Sequence, residues 1–179
     1  MNVCTALDVP LTDLYAAIET LNYRGTDRRG EHSSLDLELP DDPESLFYLA
    51  GVFAGDGDLE GNVTAADDRM REVVLEAASS LGLDPIVREF DDRATRIEIG
   101  GKTLSKILQS AFAYPTTDKS ERISVPDLVF TADDESAAAF LRGYLDADGT
   151  VERRRSAVSV SSVSERMLED LQLLLYRST

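Results

Sequence analysis

The sequence predicts an α+β fold built from two repeated units. Helical periodicity alternates with short segments of period-two hydrophobicity, in the order helix–strand–strand–helix–strand–strand–helix. The pattern that begins near residue 45 then restarts near residue 133 in a shorter form. We therefore expect two pseudo-symmetric αββαββα units that pack through a central helix pair, with the second unit incomplete.

Charge is the most unusual property of the 179-residue chain. It has 34 acidic and 18 basic residues, which gives a net charge of −16. Such a charge normally argues against nucleic acid as a partner. However, a Lys-poor, Asp-rich chain is also typical of a salt-loaded cytoplasm, where the screening length falls to about 3 Å. Net charge therefore does not exclude DNA.

Cysteine and histidine exclude several kinds of site. The single cysteine, Cys4, rules out a disulfide framework and a Cys-based zinc site, and the single histidine, His32, rules out a multi-His metal site. The sequence has no apolar run of about 20 residues and no signal-peptide pattern at its start. We expect no membrane partner and a cytoplasmic location.

A lead-in segment is expected over residues 1–44. Its predicted parts are a helix over 11–21, a polar Gly/Arg loop over 22–32 and a strand over 34–39. Asp42 and Pro43 are suited to the N-cap and first position of the next helix.

The first unit is expected over residues 45–120 and the second over 121–179. The first is predicted to contain helices over 45–55, 67–81 and 103–112 and strands over 85–90 and 94–100. After a polar linker over 114–124, the second is predicted to contain a helix over 133–146 capped by Thr131, a hairpin around 153–155 and a helix over 164–176.

A nine-residue motif recurs in the two units. Residues 49–57 (LAGVFAGDG) align with 141–149 (LRGYLDADG) at an offset of 92. Each copy has two small residues four positions apart on a helix, which allows two helix backbones to approach closely. These predicted interface residues are Gly51, Gly55, Gly143 and Ala147.

An acid follows each pair of small residues. Asp56 and Asp148 lie at the negative ends of their helix dipoles, at a cost of about 0.3–1 kcal/mol each. Their repetition at equivalent places suggests a compensating cation. Two carboxylates with water form an oxygen-only site that suits Mg²⁺, which in turn binds substrate phosphate.

The two nine-residue motifs resemble those of a LAGLIDADG homing endonuclease of the two-motif kind found inside inteins. The resemblance covers roughly residues 45–179, although Ala54 and Arg142 depart from the motif. It implies Mg²⁺-dependent cleavage of double-stranded DNA, with Asp56 and Asp148 as the catalytic pair. It also implies a metal site that includes Gly55 and Ala147, and a host protein for the intein; together with the composition, it suggests a haloarchaeal origin.

Basic residues complete the predicted site. The family tends to place a basic residue before the second motif, so Lys119 is the catalytic candidate and Arg122 the reserve. In so acidic a chain, arginines on hairpins that face DNA are expected to contact phosphate. The expected DNA-binding residues are Arg153, Arg154 and Arg155, with Arg93 and Arg96 as weaker candidates.

Two features of an intact intein are missing from the sequence. Splicing needs a nucleophile at the first residue, a Thr-x-x-His block and a terminal His-Asn, whereas the chain starts with Met1, has Arg29 three residues before His32 and ends in Arg-Ser-Thr. The second unit also lacks counterparts of residues 84–112. We expect an excised or decayed fragment of a larger intein.

Two alternative functions remain open. The chain could be a non-cleaving DNA-binding remnant of the same fold. Residues 56–67 also match an EF-hand calcium loop loosely, although Asp67 is a poor substitute for the usual bidentate Glu.

Overall fold

A computed structural model of the chain describes residues 20–26, 32–38, 43–58, 60–91, 94–99, 102–152, 154 and 156–177. The helices are α1 (Glu44–Gly55), α2 (Asp68–Ser80), α3 (Lys102–Ser110), α4 (Lys119–Arg122), α5 (Asp127–Thr131), α6 (Asp134–Asp148) and α7 (Glu165–Arg177). The strands are β1 (Thr20–Thr26), β2 (His32–Glu38), β3 (Asn62–Ala65), β4 (Ile86–Arg88), β5 (Thr95–Glu98), β6 (Gly149–Glu152) and β7 (Ala157–Val160). The chain is therefore a mixed α+β protein with small sheets.

The centre of the fold is the packed pair α1 and α6. All eight residues from Phe47 to Ala54 are buried, so α1 is a core helix with no polar face along that stretch. Glycines allow the two backbones to touch: a Cβ added at Gly51 would overlap the Phe140 carbonyl, and one at Gly143 would overlap the Tyr48 carbonyl. The two helices therefore cross at the two glycines that the sequence singles out.

A three-stranded antiparallel sheet lies beside α2 and α3 in the same core. Its strand order is β3-β5-β4, and Val63 and Ile97 face each other in the register at 1% and 0% exposure. Asp67 accepts a hydrogen bond from the Met70 amide at 2.8 Å and so caps α2. Gly82, with φ of +68°, follows the end of that helix as predicted.

A separate two-stranded hairpin, β6 with β7, follows α6 directly. Gly149 pairs with Val160 and Val151 with Val158 in an antiparallel register. This agrees with the hairpin predicted around 153–155, but most of its side chains are exposed.

Two polar anchors fix α7 against the middle of the chain. The Ser164 hydroxyl donates to the Ile123 carbonyl at 2.6 Å and accepts from the Met167 amide at 3.2 Å. At the other end, the Arg177 guanidinium donates to the Val129 and Phe130 carbonyls. These contacts hold the α4–α5 segment beneath the start of α6.

Several predicted elements differ from the structure. The end of the predicted helix over 11–21 and much of the predicted loop over 22–32 belong to β1, because the backbone of Thr20–Thr26 pairs with His32–Glu38. The rest of that helix lies outside the described residues.

The remaining differences concern the starts of two helices and the predicted linker. Thr131 ends α5 instead of capping α6; the cap is Asp133, which accepts from the Ser136 amide at 2.7 Å. Pro43 occupies the N-cap position of α1 instead of the first helical position, and Asp42 lies outside the described residues. The predicted polar linker contains α4.

No helix in the described part of the chain is long and apolar enough to cross a membrane.

Candidate functional site

The first acid of the site lies just beyond the end of α1. Asp56 occupies the C-cap position, and its amide donates to the Val52 carbonyl at 3.0 Å. Gly57 follows and forms a bridge with Val63, so the chain turns from the helix straight to the sheet. The Asp56 carboxylate thus lies between the helix end and the sheet.

The second acid lies at the end of α6, next to the end of α1. A Cβ added at Gly55 would lie 3.4 Å from a carboxylate oxygen of Asp148 and 2.8 Å from the Ala147 methyl. The absence of a side chain at Gly55 therefore makes room for Asp148. The structure brings together all four residues predicted for the metal site: Gly55, Asp56, Ala147 and Asp148.

Lys119 is the basic residue at this site. Its ammonium group donates to the carbonyls of Phe53 at 2.6 Å, Gly55 at 3.1 Å and Gly57 at 2.6 Å. Arg122, the reserve candidate, is exposed and contacts Thr117 instead. Of the two candidates, Lys119 is the one in contact with the helix end that carries an acid.

The electrostatics of the two acids reflect partial burial and crowding of like charges. Desolvation raises the pKa of Asp56 above its ordinary value, and the charge of Asp148 raises it further, while Lys119 and Thr64 act to lower it. Desolvation also raises the pKa of Asp148, against the lowering effects of Lys119 and Tyr144. When both acids are ionised, the single charge of Lys119 balances only one of them.

The donor set suits a hard divalent cation. Mg²⁺ binds through one or two carboxylates together with waters and phosphate oxygens, and Asp56 and Asp148 supply two carboxylates. Among the described residues, no group of three or more His, Cys, Asp and Glu side chains could hold a metal ion.

Two polar side chains that sequence reasoning missed support the acids. Thr64, on β3, hydrogen-bonds Asp56, and the hydroxyl of Tyr144, one helical turn before Asp148, interacts with that carboxylate and with Ser162. Tyr144 is 1% exposed. Its spacing of four from Asp148 was a usable signal, because residues i and i+4 share a helix face.

The predicted DNA-binding arginines are only partly described. Arg154 lies at the exposed tip of the β6–β7 hairpin, whereas Arg93, Arg153 and Arg155 lie outside the described residues. Arg96, on β5, forms an ion pair with Asp58 at 3.1 Å. Arg96 therefore lies on the three-stranded sheet β3-β5-β4, where it is already paired with an acid.

The loop over 56–67 has contacts of its own that differ from those of a calcium site. Asp58 accepts from the Glu60 amide at 2.8 Å and from the Asn62 amide at 2.9 Å and side chain at 2.7 Å. Burial acts to raise the pKa of Asp58, but these hydrogen bonds and Arg96 lower it overall. With Asp67 capping α2, these two candidate calcium ligands serve local structure.

A family match accompanies this geometry. Residues 135–178 match the family model of the LAGLIDADG-like domain. The matched span begins in α6, contains Gly143 and Asp148, and extends through β6, β7 and α7. The match supports the LAGLIDADG family for this part of the chain.

The curated relatives are much longer proteins with unrelated names. The chain is 42% identical over 177 residues to elongation factor 2 of Methanopyrus kandleri, which covers 99% of the chain and 13% of the relative. It is 33% identical to a probable translation initiation factor IF-2 of Thermococcus kodakarensis, covering 98% of the chain and 16% of the relative. It is also 29% identical to a replication factor C small subunit of Methanocaldococcus jannaschii, in a match that covers 75% of the chain and 7% of the relative. The chain spans less than a fifth of each.

Proposed function

We propose that the chain is the endonuclease part of an intein, of the homing type, that hydrolyses phosphodiester bonds in double-stranded DNA with Mg²⁺. Its units would comprise residues 45–120 and 121–179. The observation that carries this proposal is the juxtaposition of Asp56 and Asp148 at the ends of two helices that cross at glycines. The LAGLIDADG-like match over residues 135–178 supports the same function.

The relatives support the intein context. Translation factors, a replication factor subunit and an RNA polymerase subunit have no common activity, yet each matches most of this chain over a small fraction of its own length. A segment shared by such different proteins is best explained as an element inserted into each host. The host of this chain would then be a protein such as elongation factor 2.

The chemistry follows from the donor set. Bound Mg²⁺ would supply Lewis-acid stabilisation of charge on the phosphodiester and a lowered pKa for the attacking water. Asp56 and Asp148 would hold the cation, with the backbone at Gly55 and Ala147 lining the site. The glycine crossing would keep the two acids close enough to act on one phosphate, and Lys119 offsets part of their charge. Arginines such as Arg154 would contact the DNA backbone.

Cleavage of a defined junction tests the proposal. The substrate is a duplex with the uninterrupted coding sequence of an archaeal elongation factor 2, incubated with the chain and Mg²⁺ in molar KCl. We expect strand breaks that disappear with Asp56→Asn or Asp148→Asn, while DNA binding is retained. Asp146→Asn is the matched control, because Asp146 belongs to the second motif but contacts Tyr48 at 3.1 Å, away from the acid pair. Equal loss of DNA binding in both variants would instead assign the acids a structural role.

A non-cleaving DNA-binding remnant is the second candidate. The observation that favours it is the difference between the sheets: three strands beside α2 and α3, but two in the β6–β7 hairpin, where Val151 is 67% exposed. Less sheet surface means fewer contacts to align a phosphate. This candidate predicts binding to the junction duplex without strand breaks at any Mg²⁺ concentration.

A further inference from the structure

Lys119 makes an unusual set of contacts for a lysine near two acids. Its three hydrogen bonds go to backbone carbonyls of Phe53, Gly55 and Gly57, which lie 62–66 positions away in sequence. An ammonium group has three hydrogens and no acceptor. All three hydrogens of the Lys119 ammonium group are therefore used by backbone carbonyls. Among the described residues, none of them is donated to a carboxylate.

Two of the three carbonyls belong to the last turn of α1, and the third belongs to Gly57, two residues beyond the end of the helix. The last four carbonyls of a helix have no partner within the helix. Val52 is served by the Asp56 amide, while Phe53 and Gly55 are served by Lys119. A cation at this position also interacts favourably with the helix dipole. Lys119 is thus a long-range C-cap of α1.

Two of the carbonyls that Lys119 contacts belong to the residues immediately before and after Asp56. The carbonyls on either side of it, from Gly55 and Gly57, share the same ammonium group, so the backbone at Asp56 has little freedom to rotate. A Cβ added at Gly55 would lie 3.4 Å from a carboxylate oxygen of Asp148, so this turn faces the second acid. The group that fixes the turn therefore also fixes the separation between the two acids.

The contact geometry also opposes proton transfer by Lys119. A neutral amine has two hydrogens, so loss of a proton would leave one of the three carbonyls without its donor and turn the nitrogen lone pair toward a carbonyl oxygen. An unsatisfied, partly buried carbonyl is costly. Burial lowers the pKa of Lys119 below its ordinary value, and the charges of Asp148, Asp56 and Asp58 act against that effect.

We propose that Lys119 is a positioning residue: its ammonium group fixes the last turn of α1, and with it Asp56 relative to Asp148. This deepens the proposed function by separating the role of Lys119 from that of the acids. Of the two tests below, only the second, which measures cleavage, rests on the proposed endonuclease activity.

The first test needs neither metal nor DNA. Hydrogen exchange is followed in the full chain for Lys119→Met, with Lys106→Met, on the exposed side of α3, as the matched control. We expect the Asp56 amide to exchange about tenfold or more faster in Lys119→Met, while the Val74 amide of α2 changes far less. Equal acceleration at both amides, or none at Asp56, would overturn the proposal.

The second test uses cleavage and replaces the amine by groups of different acidity. Lys119→Arg keeps a charge that cannot be lost, and Lys119→Cys treated with bromoethylamine, in a Cys4→Ser background, restores an amine of similar length and lower pKa. A positioning role predicts that aminoethylation restores cleavage with an unshifted pH profile, and that Arg restores more activity than Met. A shift of the profile toward the acidity of the new amine would overturn the proposal. If no variant and not even the parent chain cleaves DNA, while the exchange result holds, the proposed function fails and the positioning role stands.

Discussion

The first half of the molecule, residues 43–110, and the second half, residues 119–177, start from the same local pattern and end in different environments. In each half a glycine-bearing helix ends at an acid and continues into strands. In the first half the cross-strand pair Val63 and Ile97 is buried at 1% and 0% exposure. In the second half the pair Val151 and Val158 is exposed at 67% and 56%. The same period-two pattern thus produces a core in one half and a surface in the other.

The two helix ends differ in a related way. The end of α1 is capped by Lys119 from outside the helix, whereas α6 continues directly into β6 through the Gly149 amide, which donates to the Leu145 carbonyl. The first acid depends on a distant side chain for its position, and the second depends on the local backbone. Substitutions made in matched pairs across the halves measure how far this difference extends.

The largest effect is expected where the halves are alike. Gly51→Ala and Gly143→Ala each place a methyl group against a backbone carbonyl of the opposite helix, which cannot move without separating the helices. We expect each to lower the free energy of unfolding by about 3 kcal/mol or more, at the upper end of overpacking effects. Chemical denaturation in molar KCl measures this, with Ala138→Gly on the exposed face of α6 as control at about 1 kcal/mol. A cost below that of the control would show that the helices do not cross at the glycines.

The next effect separates the halves. Val63→Ala removes buried methyl groups, and we expect a loss of about 2 kcal/mol in the free energy of unfolding. Val158→Ala removes exposed methyl groups, and we expect a change within about 0.5 kcal/mol. Equal losses would mean that the β6–β7 hairpin is covered in solution, for example by a second copy of the chain, which sedimentation of the Val158→Ala chain would detect.

A smaller effect concerns the acids. Because their pKa values are raised in the folded chain, the folded state binds protons more tightly than the unfolded state, and stability falls as pH rises above the ordinary value of 3.8. Asp56→Asn and Asp148→Asn should therefore each raise Tm of the metal-free chain at pH 7. The gain should vanish as pH falls below the ordinary value. The double variant should gain less than the sum, because each single variant already removes the repulsion between the two acids. Strict additivity would mean that the carboxylates do not interact.

Sequence patterns predicted the features that depend on neighbouring residues. The helix pair, the helix predicted over 67–81 and the β6–β7 hairpin follow from periodicity and turn chemistry within a few positions. Features that depend on distant residues were missed. Thr20–Thr26 forms a strand through pairing with His32–Glu38.

The same distinction applies to the candidate site. The sequence singled out Asp56, Asp148 and Lys119, but not the backbone carbonyls that Lys119 contacts, because no local pattern records a hydrogen bond across 62–66 positions. Likewise, the pairing of Arg96 with Asp58 joins residues 38 positions apart. Spacing therefore predicted which residues lie near one another but not the contacts that hold them.

The smallest expected effect is on the salt dependence of DNA binding, and it tests how arginines of the two halves would contact DNA phosphates. Arg154 lies at an exposed hairpin tip and forms no ion pair within the described part of the chain, so a phosphate contact there would release counterions without first breaking such a pair. Arg96 must first leave Asp58. We expect Arg154→Ser to reduce the slope of log affinity against log salt by about 0.9, and Arg96→Ser to reduce it by clearly less. Affinities for the junction duplex are measured by fluorescence anisotropy across a range of KCl concentrations in which the chain stays folded.

Asp58→Asn is the informative partner, because it frees Arg96 and should strengthen binding if that arginine faces DNA. An Arg96→Ser effect as large as that of Arg154→Ser would show that the ion pair opens readily and that both sheets contact phosphate alike.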